Sequence, residues 1–207
     1  MSSIKLNLIN HSNLTGNESI VICQKNREAY LENNLVAWKV ISNLGPGDFH
    51  PFDYEFGLSI AAADSWGNFT PQIMVEEGSC FEMVQSPSGY ALQKKSEPAA
   101  DPRAVEVINN LAMGSIAVNA YRGGKLLASF PVVDPLQKVF FEFQPTLFIG
   151  VASQIPEGDI LNAALESMFD TSIALLGLSS ADIVMTGGGA GPNAQPVVFS
   201  LQNVKYV

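Results

Sequence analysis

Leu6-Asn7-Leu8-Ile9-Asn10 returns ninety-nine positions later as Val105-Glu106-Val107-Ile108-Asn109, and this pair decides how the rest of the chain is read. The run Ser19-Ile20-Val21-Ile22 returns in the same way as Ser115-Ile116-Ala117-Val118. Further along, Phe52, Tyr54, Leu58, Ile60 and Ala62 match Phe141, Phe143, Leu147, Ile149 and Val151 at a constant offset of 89, and Phe81 and Met83 match Ile183 and Met185. Matches in this order, each at a locally constant offset between 89 and 102, describe an internal duplication. Each copy is about 100 residues long, enough for one small domain with its own core.

Within each copy the apolar residues alternate, as they do in strands with one buried face. Residues 4–10, 18–25, 35–42, 49–63, 71–76, 79–85 and 90–94 read as strands, and so do 104–109, 115–121, 125–133, 137–152, 172–178, 181–186 and 197–206. Turn clusters such as Asn43-Leu44-Gly45-Pro46-Gly47 and Ser86-Pro87-Ser88-Gly89 separate them. Seven strands per copy predict an all-β protein of two tandem immunoglobulin-like sandwiches. The proline-containing stretch Lys94-Lys95-Ser96-Glu97-Pro98-Ala99-Ala100-Asp101-Pro102-Arg103 reads as the linker, which gives domains of residues 1–97 and 98–207. The second copy has about eleven extra residues. In them Ile160, Leu161, Ala164, Leu165, Met168 and Phe169 recur at helical spacing behind Asp159, a suitable N-cap, so a short helix is expected over 159–169.

Charge narrows the classes of partner. Net charge is −9, and no cluster of Lys and Arg exists to track a phosphate backbone, so a nucleic-acid surface is not expected. The same sign disfavours anionic membranes. No apolar run has the length of a membrane span, and Met1-Ser2-Ser3-Ile4-Lys5 lacks the pattern of a secretory signal, so a cytoplasmic protein is expected. Charged residues make up only 15% of the chain and hydrophobic ones 47%, a balance that favours burial inside the chain or against neighbours.

Cys23, Trp38 and Cys80 have roughly the order of an immunoglobulin core with its inter-sheet disulfide. Strand parity opposes the bridge, because it sets Cys23 beside Val21, away from Ile20 and Ile22, and sets Cys80 beside Glu82, away from Phe81 and Met83. Two free thiols are expected.

Chemistry is sparse. The two histidines, His11 and His50, lie in no nucleophile-elbow context, so an enzyme is not expected and no cofactor is implied. Asp48, His50, Asp53 and Glu55 have the side-chain types of a divalent-cation site, though a charged outer face of an amphipathic strand is the favoured account of them. Gly187-Gly188-Gly189-Ala190-Gly191-Pro192 lacks the Lys-Ser/Thr ending of a phosphate loop and precedes a β-branched strand, so it reads as a hairpin connection. Asp64, Trp66 and Asn68, with Tyr90, form a candidate polar and aromatic site for a glycan or another small ligand. The run from Val197 to Val207 holds one charged side chain and no proline, so as an edge strand it would be poorly guarded, with Phe199, Leu201 and Tyr206 as its contact residues. Together these features predict a non-catalytic, structural β-protein that self-associates as a homo-oligomer. A lectin-like binding module is the alternative.

Overall fold

The computed structural model describes residues 3–14, 16, 18–27, 35–166 and 169–207. Its strands are β1 (Ser3–Asn10), β2 (Ser19–Cys23), β3 (Lys39–Ile41), β4 (Phe49–Glu55), β5 (Leu58–Ala63), β6 (Ile73–Val75), β7 (Ser79–Ser86) and β8 (Gly89–Pro98) in the first half. The second half continues with β9 (Val105–Asn109), β10 (Ile116–Arg122), β11 (Lys125–Val133), β12 (Lys138–Phe141), β13 (Thr146–Ala152), β14 (Thr171–Ala174), β15 (Leu178–Gly188) and β16 (Gln195–Tyr206). A single helical turn, α1 (Ala163–Glu166), lies between β13 and β14. The protein is all-β, with four sheets of four strands compatible with β-sandwiches.

Those sheets belong to two compact units that interleave along the chain. One unit comprises Met1–Gln24, Ala37–Phe56 and Pro145–Val207, and the other Lys25–Val36 and Gly57–Gln144. In the first unit the strand orders are β16-β15-β1-β4 and β14-β13-β2-β3; in the second they are β12-β9-β7-β8 and β11-β10-β5-β6. Every sheet therefore takes two strands from residues 1–97 and two from 98–207, and the halves are not separate sandwiches laid end to end. The expected linker is in fact largely the edge strand β8. Lys94, Lys95, Glu97 and Pro98 are there because an exposed sheet edge tolerates charge and proline.

Pairing registers recur between the units at the offsets seen in the sequence. Leu6 faces Phe52 as Val105 faces Phe141, and Leu8 lies beside Ile183 in a parallel pair as Val107 lies beside Phe81. Turns repeat too. Asn10 and Asn109 each accept, on Oδ1, the amide two residues on, and their own carbonyls receive the amides of Gly47 and Leu136. One match moves: Ile22 faces Ile149 while Ala120 faces Ile60, so Ile20 corresponds in register to Val118 and not to Ile116. The shift is two residues and keeps the buried face.

In the second unit both sheets feed one core. Phe81, Met83, Leu92, Val105, Val107 and Phe141 of one sheet pack with Ile60, Ala62, Ile116, Val118, Ala120 and Ala128 of the other. Burying each large side chain is worth roughly 1.5–3 kcal/mol, so such a cluster sets which face of every strand turns inward. In the first unit Trp38, 2% exposed, stands edge-on to Tyr54, whose hydroxyl accepts a hydrogen bond from Gln24 Nε2 at 3.0 Å.

Three local expectations change. The long strands over 49–63 and 137–152 are each broken in two, at Phe56-Gly57 and at Glu142–Pro145, which is also where the chain passes between units. The helix over 159–169 shrinks to one turn. Its amide at Leu165 bonds Asn162 Oδ1, while Asp159 is engaged through its carbonyl by Ala37, so the expected cap is not used. Leu161 and Phe169 are buried as the pattern required, Ile160 is 46% exposed, and Met168 lies outside the described residues. Finally, neither Cys23 nor Cys80 is in a disulfide, and both are buried, one in each unit. Parity does not place Cys23 outward, because every residue of β2 is buried and that strand is covered on both faces.

Candidate functional site

β5 ends at Ala63 on a turn built by Asp64. Its Oδ1 accepts the amides of Trp66 and Asn68, both at 2.9 Å, and Oδ2 accepts Asn68 Nδ2 at 2.9 Å. Gly67 takes a φ of 85°, which a side chain would resist, and so lets the turn close from Asp64 to Asn68. Thr70 ties the returning strand back by accepting the Ala62 amide on Oγ1 at 3.0 Å. The hydrogen bonds to Asn68 and the turn amides hold the Asp64 carboxyl below the usual carboxylate range, so it is ionised at neutral pH.

Facing this turn is the β7–β8 hairpin, where Ser86 Oγ donates to Gly89 O at 2.7 Å and Gln85 stands opposite Tyr90. Between the two lies a cleft of about 380 Å³, floored by Met83 and lined by Asp64, Asn68, Thr70, Gln85, Ser88 and Tyr90, with Phe69 and Pro71 at its side. Of the expected ligand residues, Asp64, Asn68 and Tyr90 therefore meet at one place. Trp66 does not line the cleft; it projects from the same turn and is 83% exposed. Phe69, Thr70, Gln85 and Ser88 were not anticipated. Ser86-Pro87-Ser88-Gly89 announces a turn, but nothing in a sequence says that it comes to face the turn at Asp64.

The expected cation site is not assembled. In β4, His50 shares a face with the buried Phe52 and Tyr54, whereas Asp53 and Glu55 take the other face, and the Asp48 carboxylate accepts the Gly45 amide at 3.1 Å. Among the described residues no group of three or more His, Cys, Asp and Glu side chains is placed to hold a metal ion. A second cleft, of about 450 Å³, opens at Asn10, Leu14, Glu18, Leu44, Gly45 and Met185 in the first unit. The glycine run is a hairpin connection between β15 and β16. There Gly188, at φ 78°, lies so close to Leu14 that a Cβ would come within 3.0 Å of its backbone nitrogen.

The C-terminal segment does form a sheet edge: among the described residues β16 pairs with β15 alone. Phe199 is buried, Leu201 half-buried and Tyr206 73% exposed. Among the described residues no helix is long and apolar enough to cross a membrane. No protein family, curated protein or solved structure matches the chain.

Proposed function

We propose that this is an internally duplicated, non-catalytic β-protein whose work is self-association, by pairing β16 of one copy with β16 of another. The recurring registers support the duplication, with the two copies having exchanged strands so that each unit holds half of each.

The observation that carries the assembly reading is a difference between matched edges. Among the described residues, the other seven edge strands have a guard or little length. β8 carries Lys94, Lys95, Glu97 and Pro98; β4 has Pro51 and Asp53; β11 has Pro131; β12 has Lys138; and β3, β6 and β14 are three or four residues long. By contrast β16 runs for twelve residues, with Lys205 near one end and Pro196 near the other. Its ladder with β15 is unshifted from Val198 to Gln202. At the ladder position that Lys94 holds in β8, opposite Phe81, β16 presents Leu201, opposite Ile183. Over Val198–Gln202, between the register shifts on either side, this uncharged edge is a template for another strand, because its outward N–H and C=O groups have no partners in the sheet. A second β16 would supply them and would also cover Val198 and Tyr206, exposed at 52% and 73%.

Replacing Ser200 and Gln202, both exposed, by lysine restores the kind of guard that β8 has. Light scattering behind size exclusion is expected to show a dimer or larger species for the natural chain and a folded monomer for the Ser200→Lys/Gln202→Lys variant. A variant that associates as well as the natural chain would remove β16 as the contact.

A further inference from the structure

We propose that the cleft between the Asp64 turn and the β7–β8 hairpin of the second unit is a binding site for a neutral saccharide, taking one terminal hexose ring. Asp64, Asn68, Thr70, Gln85, Ser88 and Tyr90 offer a carboxylate, two amides and three hydroxyls around a space of about 380 Å³, within the range of small-ligand pockets. A hexose carries both donors and acceptors on every edge, and this is a lining that can meet both.

The polar groups have capacity left. Three hydrogen bonds occupy Asp64, and a carboxylate accepts about four. Gln85 uses its amide nitrogen on the Ser86 carbonyl, and Thr70 accepts from Ala62 with its hydroxyl hydrogen still to give. Aromatic surface is at hand as well. Phe69 is 65% exposed beside the cleft, Trp66 is 83% exposed on the same turn, and the Tyr90 ring packs on the core, which holds it in place. The exposed Phe69 ring, beside a turn pinned by a buttressing carboxylate, forms a platform for the C–H face of a sugar, an amphipathic surface suited to aromatic contact.

Charge selects among polar ligands. Among the described residues no Lys or Arg lines the cleft, so phosphate, sulfate and carboxylate groups find no counter-ion there, and the ionised Asp64 repels them. Asp64 alone is too few carboxylates for calcium. An uncharged polyhydroxy ring remains as the class that the lining fits.

The site is independent of assembly through β16, and the test keeps the two apart. Saturation-transfer NMR would be run on the intact chain with methyl glycosides of glucose, galactose, mannose and N-acetylglucosamine, with sialyllactose as the anionic control. The same set would be run on the Phe69→Ala and Gln85→Ala variants, whose folds are checked by circular dichroism and whose molar mass is checked by light scattering. At least one neutral glycoside is expected to receive saturation on its ring protons, with a loss of at least tenfold in affinity in each folded variant. Absence of transfer to every neutral glycoside, equal transfer to the anionic control, or transfer unchanged in both variants would overturn the site. Transfer alone decides the site, and the molar mass of each variant reports separately on association through β16.

Discussion

Asn109 shows how much one polar residue can hold in a β-protein. It is fully buried, and Nδ2 donates to Gly114 O at 2.9 Å and Val133 O at 2.8 Å while Oδ1 accepts the Leu111 amide at 3.2 Å. Truncating it strands buried backbone groups, each worth roughly 1–3 kcal/mol when left without a partner. Asn109→Ala is therefore expected to lower stability by about 3 kcal/mol or more in urea unfolding. Asn10, its counterpart, secures Leu44 O and the Ser12 amide, one bond fewer, so Asn10→Ala should cost less. The neighbouring turns differ in a telling way. Gly47 takes φ 89° at no steric cost, whereas Leu136 takes φ 65° in the matching place with its side chain 81% exposed. The conformation is demanded by the turn, and the residue there is the one that tolerates it less.

At the scale of elements, the turn after β5 and the edge at β16 are the two features on which the proposed roles rest. The first has a pH signature. Because its hydrogen bonds depress the Asp64 pKa in the folded state, the carboxylate's contribution to the turn is present above the ordinary aspartate range and is lost as pH falls through the lowered value. The Asn68 and Trp66 amide resonances should therefore titrate together on acidification, with a midpoint below that of an unperturbed aspartate. Titration at the ordinary value, or of one amide alone, would mean that the carboxylate does not build the turn. Strand alternation reads elements of this kind well where one face is wet, as in β1, whose Ile4, Leu6 and Leu8 are buried. It fails for β2, where both faces are covered and period two loses its contrast. Helical spacing over 159–169 misled for a related reason. Ile160 and Leu161 are an apolar pair serving a loop anchored at Asp159 and Ala37, and only residues after Asn162 turn as a helix.

For the whole molecule, the all-β pattern of recurring apolar strands is legible in the sequence, and how the strands are shared between the two units is not. The offset of 99 between Leu6 and Val105 survives as equivalent registers in three dimensions, because the same apolar side must face a core in both places. Periodicity names a strand's face but not its neighbour. Thus the pairing of Leu8 with Ile183, 175 positions apart, could not be read from either segment. Nor could the meeting of Asp64 with Tyr90 in one cleft. Since every sheet needs both halves, residues 1–97 and residues 98–207 are each expected to be unfolded when produced alone, and to regain β-sheet circular dichroism when mixed. An independently folded half would contradict the strand exchange. The central claim, however, is that β16 is where one copy meets another, and amide hydrogen exchange at residues 197–205, followed across protein concentration, tests it most directly. The account predicts that these amides gain protection as concentration rises while those of the guarded counterpart β8 do not. Exchange at β16 that is independent of concentration, together with a molar mass that stays at 22.2 kDa, would contradict it.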